Sequence, residues 1–163
     1  PIHSSAASDV YKRQSFRRNI MKPVMNLIPI GRRSSEGRDI SFDDTLKLSK
    51  GFMNVNKRCI IIFPEGTRGK PDVLIRFKKG PARLAIGTGE KILPAVITGT
   101  GLLWPKGKII FKPGEINVYI LPPLDPNSFL IRDNKNNIDL FKSAEAMTNA
   151  LETRIKEKIK DLS

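Results

Sequence analysis

The chain has 163 residues, of which 29 are Lys or Arg and 16 are Asp or Glu, so its formal net charge is +13. This length suits one domain with its own core, and the excess of positive charge favours an anionic partner: nucleic acid, a phosphorylated small molecule or an acidic lipid surface. A single cysteine and a single histidine exclude an intramolecular disulfide and a multi-histidine metal site. No apolar run approaches the roughly 20 residues that a membrane-spanning helix needs.

Residues 1–14 differ from the rest of the chain because they are small, polar and aperiodic. They resemble translated adapter sequence more than a native terminus, so we predict a non-native or disordered segment there and a domain over 15–163. In this domain, a basic and partly apolar stretch over 16–25 predicts a helix, and 26–30 predicts a short strand. A loop with three arginines follows over 31–39.

Two helices and two strands are predicted over the middle of the chain. A capping-box pattern over 41–44 predicts the start of a helix that ends near Gly51. The continuous apolar run over 58–63 predicts a buried strand. A short helix over 81–86 begins with a proline, which is tolerated in the first turn, and the apolar run over 92–98 predicts a second buried strand.

The stretch over 108–121 predicts a β-hairpin. A proline–glycine pair at its centre suits a type II turn, and strands over 108–112 and 115–121 flank that turn. Apolar and polar residues alternate along the second of these strands, which is typical of a strand that is buried on one face.

The last predicted element is a helix over 139–162, where apolar residues step by three and four along one face. Strands that alternate with helices, followed by a hairpin, indicate the α/β fold class. We expect a layered domain with a mostly parallel mixed sheet flanked by helices, the hairpin near 108–121, and this amphipathic helix at the carboxyl end.

The most informative stretch is Phe63-Pro64-Glu65-Gly66-Thr67-Arg68, which follows an apolar run and opens a polar loop. The Arg68 guanidinium carries a permanent charge and several donors, which suit a phosphate. Gly66 allows the backbone to approach a ligand closely, Thr67 can add a hydroxyl donor, and the amides of both are candidate anion donors. These residues indicate an anion site at the carboxyl end of a strand, where open α/β sheets bind ligands.

The same six residues resemble the third motif of the glycerolipid acyltransferases, the PlsC-like family that includes the 1-acylglycerol-3-phosphate acyltransferases. Residues 74–80 resemble the family's L-x-x-F-K-x-G continuation, except that a proline then precedes the expected alanine. Residues 92–97 resemble its fourth motif, and 28–32 resemble its second motif, which ends in an arginine. The resemblance covers about 16–126 and implies that 15–163 is a partial acyltransferase domain.

The resemblance implies an enzyme of phospholipid synthesis that moves an acyl group from acyl-CoA or acyl-carrier protein to 1-acylglycerol 3-phosphate, also called lysophosphatidic acid, giving phosphatidic acid. It implies no cofactor besides this acyl donor, and no metal. It also implies a place at the cytoplasmic face of the membrane, peripheral as the chain stands, on a surface with anionic lipid. Another acceptor, such as glycerol 3-phosphate or a lyso-ornithine lipid, fits the same family.

The catalytic base of the family is the histidine of a His-x-x-x-x-Asp motif, in which the aspartate orients the histidine. A hydroxyl is a weak nucleophile and needs such a base. The only histidine here is His3, and Asp9 follows it after five residues instead of four. We therefore expect no catalytic residue in this chain and no acyl transfer by it as it stands.

The resemblance leaves the half of the site that holds the substrate. Arg68 is the first candidate to bind the phosphate of the acceptor, Arg32 is the second, and Lys78 adds a point charge. A carboxylate repels a phosphate, so Glu65 is expected to orient Arg68 or the loop, or to bond a glycerol hydroxyl. Arg33 and Arg38 compete with Arg32 for its role. Arg68 also has a simpler interpretation as a surface ion-pair residue, and Arg32 and Arg33 as solvated loop charges.

Two other functional classes fit the sequence less well. The charge permits a basic nucleic-acid-binding domain, but only 7% of the residues are aromatic and the basic residues are spread along the chain. We therefore expect no nucleic acid among the partners. A catalytically inactive scaffold would also explain the missing histidine motif.

Overall fold

The structure is a computed structural model that divides into two compact units, Pro1–Arg58 and Cys59–Ser163. The residues that it describes are 41–55, 58–67, 73–103 and 112–162. The predictions for the segments before residue 41, and for most of the first hairpin strand, lie outside these ranges. No helix within them combines the length and the apolar character that crossing a bilayer requires.

The described part of the first unit is helix α1 (Phe42–Asn54). The Ser41 hydroxyl accepts a hydrogen bond of 3.1 Å from the backbone N–H of Asp44, which confirms the predicted cap. The buried residues of this helix are Thr45 and Ser49. Each hydroxyl donates to the carbonyl four residues earlier, at 3.2 and 2.7 Å, so neither polar group is buried without a partner.

The second unit combines helices with a small sheet. Helix α2 (Gly80–Thr88) has a proline in its first turn, as predicted, and is capped by Gly89. Gly89 has a φ of 80°, and its N–H donates to the carbonyl of Ala85 at 2.8 Å. The remaining elements are strand β1 (Ala95–Thr98), the short helix α3 (Thr100–Leu103), strand β2 (Asn117–Ile120), a 3-10 helix (Pro126–Phe129) and helix α4 (Leu140–Asp161).

Strands β1 and β2 pair antiparallel, with Ala95 opposite Ile120, and a bridge between Ile92 and Leu124 lies beyond this ladder. The mixed α/β class is confirmed, whereas the mostly parallel sheet is not, because this antiparallel pair is the sheet that the described residues form. The second strand of the predicted hairpin exists, but its described partner is β1. Residues 108–112, which we expected in that place, lie mostly outside the described ranges.

The predicted buried strand over 58–63 is wrong for the described residues. This segment has no ladder partner among them, and the side chains of Ile61 and Phe63 are 82% and 71% exposed. An apolar run shows that its side chains favour burial, but burial on both faces requires a neighbouring layer on each side. Here only Ile60 and Ile62 are half-buried.

The alternation predicted for β2 is present, but its more apolar face is not the buried one. Tyr119 packs against the core, whereas Val118 and Ile120 on the opposite face are 58% and 68% exposed. Ile97, which pairs with Val118 across the ladder, is 45% exposed as well. The sheet therefore has apolar residues on both faces and a described core on one.

The core of the second unit lies where α2, α4 and the inner face of the sheet meet. The predicted amphipathic stripe of α4 is confirmed, because its apolar residues supply much of this core. Asp139 caps the helix by accepting the N–H of Lys142 at 3.0 Å, and this hydrogen bond holds the pKa of Asp139 below its usual value. The buried apolar residues are Phe77, Ala82, Ala85, Val96, Leu124, Ala144, Met147, Leu151 and Ile155.

We predict that Met147→Ala lowers the free energy of unfolding of the chain by about 2–5 kcal/mol, because Met147 is fully buried and its loss leaves a cavity. Met147→Leu nearly conserves the volume and should cost less than about 1.5 kcal/mol. Urea denaturation of the two variants measures the difference. Equal losses would contradict the tight packing between α2 and α4.

Candidate anion-binding turn

The predicted motif forms a closed turn. The N–H of Gly66 donates to the carbonyl of Phe63 at 3.1 Å, with Pro64 and Glu65 at the two central positions. Glu65 has a negative φ, because Asn136 is the one described non-glycine residue with a positive φ, and this excludes a type II turn. Proline at the second position and glycine at the fourth are typical of type I.

Position 66 favours glycine because of its backbone conformation, and not because an added side chain would be crowded. Its φ of 70° lies in the left-handed region, which glycine adopts without a steric penalty. A Cβ atom at this position would lie 3.6 Å from Cγ of Lys78 and 3.8 Å from its Cε, which are ordinary contacts. The aliphatic part of Lys78 therefore lies beside the turn, so these two predicted site residues are neighbours.

The amide of Gly66 is not a free anion donor, which corrects one part of the prediction. An amide has a single proton, and that of Gly66 already closes the turn on Phe63. Within the described ranges the N–H of Thr67 has no such partner, and Thr67, Gly66 and Lys78 are all exposed. The surface that a ligand can reach is thus formed by these three residues.

The described contact of Glu65 is a hydrogen bond to the backbone, and its three alternative roles, to orient Arg68, to orient the loop or to bond a glycerol hydroxyl, stay predictions. Its Oε2 accepts the backbone N–H of Ile75 at 3.0 Å, so its carboxylate closes the loop between residues 65 and 75. Glu65 is half-buried, as expected for a side chain that points back into the protein. Arg68 belongs to this loop by sequence, but Arg68 and Arg32 both lie outside the described residues.

Residues 73–79 form a support segment behind the turn. The N–H of Lys78 donates to the carbonyl of Pro64 at 2.8 Å, and this bond together with that of Ile75 joins the segment to the turn. The N–H of Phe77 donates to Oε2 of Glu152 in α4 at 3.1 Å.

A second contact with the same helix is made by Lys79. Its Nζ lies 2.8 Å from Oε1 of Glu145 and 3.9 Å from the ring centre of Phe141. Sequence reasoning missed both glutamates. Glu145 and Glu152 are seven residues apart, which places them on one helix face, and this spacing was the available signal.

Metal binding has no support in the described ranges, where no group of three or more His, Cys, Asp or Glu side chains could hold an ion. An exposed amide, a hydroxyl and an ammonium can each donate a hydrogen bond to an anion, and this is the chemistry that the described groups of the turn permit.

Comparison with known proteins agrees with the motif. The sequence model of the family described as Acyltransferase matches residues 1–98. A 1-acyl-sn-glycerol-3-phosphate acyltransferase of Limnanthes douglasii is 40% identical over 72 residues, which are 44% of this chain and 26% of that protein. The chloroplastic 1-acyl-sn-glycerol-3-phosphate acyltransferase BAT2 of Brassica napus is 31% identical over 126 residues, 76% of this chain and 34% of that protein.

A solved structure gives the same result for the fold. The crystal structure of the 1-acyl-sn-glycerophosphate (LPA) acyltransferase PlsC from Thermotoga maritima has a TM-score of 0.56 and 29% identity, and the match covers 72% of this chain and 44% of that one. The match to this chain covers only about a quarter of the Limnanthes douglasii protein and about a third of the Brassica napus protein. Because the family match covers more than half of its residues, this chain belongs to the Acyltransferase family.

Proposed function

We propose that this chain is the acceptor-binding part of an enzyme that acylates 1-acylglycerol 3-phosphate to phosphatidic acid in phospholipid synthesis. The closed turn over 63–66 carries this proposal, because it leads into Thr67 and Arg68 and has the stem of Lys78 beside it. The names of the relatives state the same acceptor. A phosphate is the part of this acceptor that the exposed groups suit.

The contact that the Glu65 carboxylate makes is compatible with this proposal. Its described bond to Ile75 joins the two ends of the segment that contains Arg68 in the sequence, and a fixed donor binds a phosphate with a smaller loss of entropy than a free one. The guanidinium then binds the phosphate oxygens through paired hydrogen bonds. Glycerol 3-phosphate and lyso-ornithine lipid are acceptors that the same assay should compare.

The reaction itself is an attack of the acceptor hydroxyl on the thioester carbonyl of acyl-CoA or acyl-carrier protein. The ester bond forms, and the carbon–sulfur bond breaks to release the thiol of CoA or of acyl-carrier protein. The hydroxyl proton passes to a base and from it to the leaving sulfur. His3 does not fit the base motif, so we assign to this chain the holding of the acceptor and not the proton transfer. Its net charge of +13 favours a peripheral position on anionic lipid, at the cytoplasmic face.

We expect Arg68→Ala to weaken the binding of sn-glycerol 3-phosphate, the soluble head group of the acceptor, by about tenfold or more. A charge-assisted hydrogen bond contributes about 1.5–3 kcal/mol, and tenfold corresponds to about 1.4 kcal/mol. Isothermal titration calorimetry of the chain at constant salt measures the Kd.

Arg132→Ala is the matched control for this prediction. It removes the same charge, and Arg132 donates to the carbonyl of its near neighbour Asn136. Equal weakening by the two variants would mean that net charge, and not the turn, binds the ligand. Tighter and more salt-sensitive binding to an oligonucleotide than to glycerol 3-phosphate would favour the nucleic-acid alternative.

We also predict that Gly66→Ala weakens the binding of sn-glycerol 3-phosphate. The left-handed region costs alanine about 1–2 kcal/mol, so the turn would rearrange. Gly66→Asn should restore much of the binding, since asparagine tolerates this conformation better. Gly51→Ala in α1 is the control: no atom lies within 4 Å of the added Cβ, and alanine favours a helix. Unchanged affinity in Gly66→Ala would show that the turn geometry does not matter.

A further inference from the structure

The support segment over 73–79 connects the turn to the carboxyl-terminal helix. The backbone N–H groups of Ile75 and Lys78 donate hydrogen bonds to the turn, and that of Phe77 donates one to α4. The side chain of Phe77 is also buried in the core, with 6% exposed. Phe77 therefore attaches the segment to the rest of the unit through both its side chain and its backbone.

Glu152 is the acceptor for the amide of Phe77, and it is a charged one. Its Oε1 bonds Nζ of Lys156 at 2.6 Å and its Oε2 accepts the Phe77 N–H. These two hydrogen bonds, that of Lys156 foremost, hold the pKa of Glu152 below its usual value against the effect of partial burial. At neutral pH the carboxylate is thus ionised, and a bond from an amide to an ionised acceptor is stronger than one between neutral groups.

The second contact between the segment and α4 is weaker. The ion pair of Lys79 and Glu145 is short, but the two side chains are 29% and 43% exposed, so water screens their attraction. The side chain of Glu152 is only 18% exposed. The bond from Phe77 is also made by the backbone itself, so it fixes the course of the chain directly.

Resting on the proposed phosphate-binding role of the turn, we propose that Glu152 is a positioning residue for the acceptor site. Its carboxylate accepts the N–H of Phe77 and so fixes that residue. The N–H of the next residue, Lys78, donates to the carbonyl of Pro64, and this bond fixes the turn relative to Phe77. Residue 152 lies outside the part of the chain that the family model matches, which ends at residue 98. The carboxyl-terminal helix thus contributes to acceptor affinity without contacting the acceptor.

The test compares two replacements of Glu152 of similar length. Glu152→Gln keeps a carbonyl oxygen that can accept the Phe77 N–H, whereas Glu152→Met keeps the bulk and loses the acceptor. We expect Glu152→Met to raise the Kd for sn-glycerol 3-phosphate about tenfold and Glu152→Gln to stay within about threefold of the original chain, by calorimetry.

Ser143→Ala is the matched control, because Ser143 makes the same kind of contact elsewhere on α4. Its hydroxyl accepts the backbone N–H of Ile131 at 2.8 Å, in a segment other than the support segment. Its loss should lower stability while leaving the Kd unchanged. If the Kd rose equally in Ser143→Ala and Glu152→Met, Glu152 would affect binding only through the general stability of the chain, and the proposal would be overturned.

The failure of this inference is distinguishable from that of the proposed function. If Arg68→Ala weakens binding and a folded Glu152→Met does not, the positioning role is wrong and the phosphate role stands. If the original chain does not bind glycerol 3-phosphate at all, both fall. Should Glu152→Met not fold, amide hydrogen exchange of the original chain decides, because the coupling is reciprocal. The ligand should then slow exchange at Phe77 and not at Ile131, and equal exchange with and without ligand would refute the coupling.

Discussion

The hydrogen bond from the N–H of Lys78 to the carbonyl of Pro64 joins the motif to the core, and the candidate site depends on it. The turn buries little of itself, because Phe63 and Gly66 are exposed and Pro64 and Glu65 only half-buried, so bonds to other segments help to hold it in place. A backbone bond transfers the fixed position of Phe77, one residue earlier, to the turn. The rigidity of the site is therefore that of the helical core, reached through one extended segment.

Glycine and glutamate in the motif have structural tasks that precede any binding. The amide of Gly66 closes the turn, its left-handed φ sets the direction of the chain after the turn, and the Glu65 carboxylate bonds the backbone N–H of Ile75. The Glu65 carboxylate thus has a structural partner within the protein. Of the predicted site residues that the structure describes at this turn, Thr67 and Lys78 have no part in closing it through their side chains.

Local patterns predicted the helices well and the sheet poorly. The capping pattern at Ser41 and the stripe of α4 depend on residues three and four apart, which are neighbours in any helix. The apolar run over 58–63 gave no information on which layer would cover it, and β2 exposes Val118 and Ile120 instead of burying them. Strand pairing and burial depend on partners far along the chain.

The site could be predicted only as far as its sequence is contiguous. Six consecutive residues indicated the anion chemistry, but nothing in the sequence connects Phe77 to Glu152, 75 positions later. Net charge does not supply this missing geometry. At physiological salt the field of a surface charge fades within about 8 Å, so an excess of lysine and arginine attracts anions in general and does not select a phosphate. Selection requires donors held at fixed positions, and for this turn the described bonds that fix them begin on helix α4.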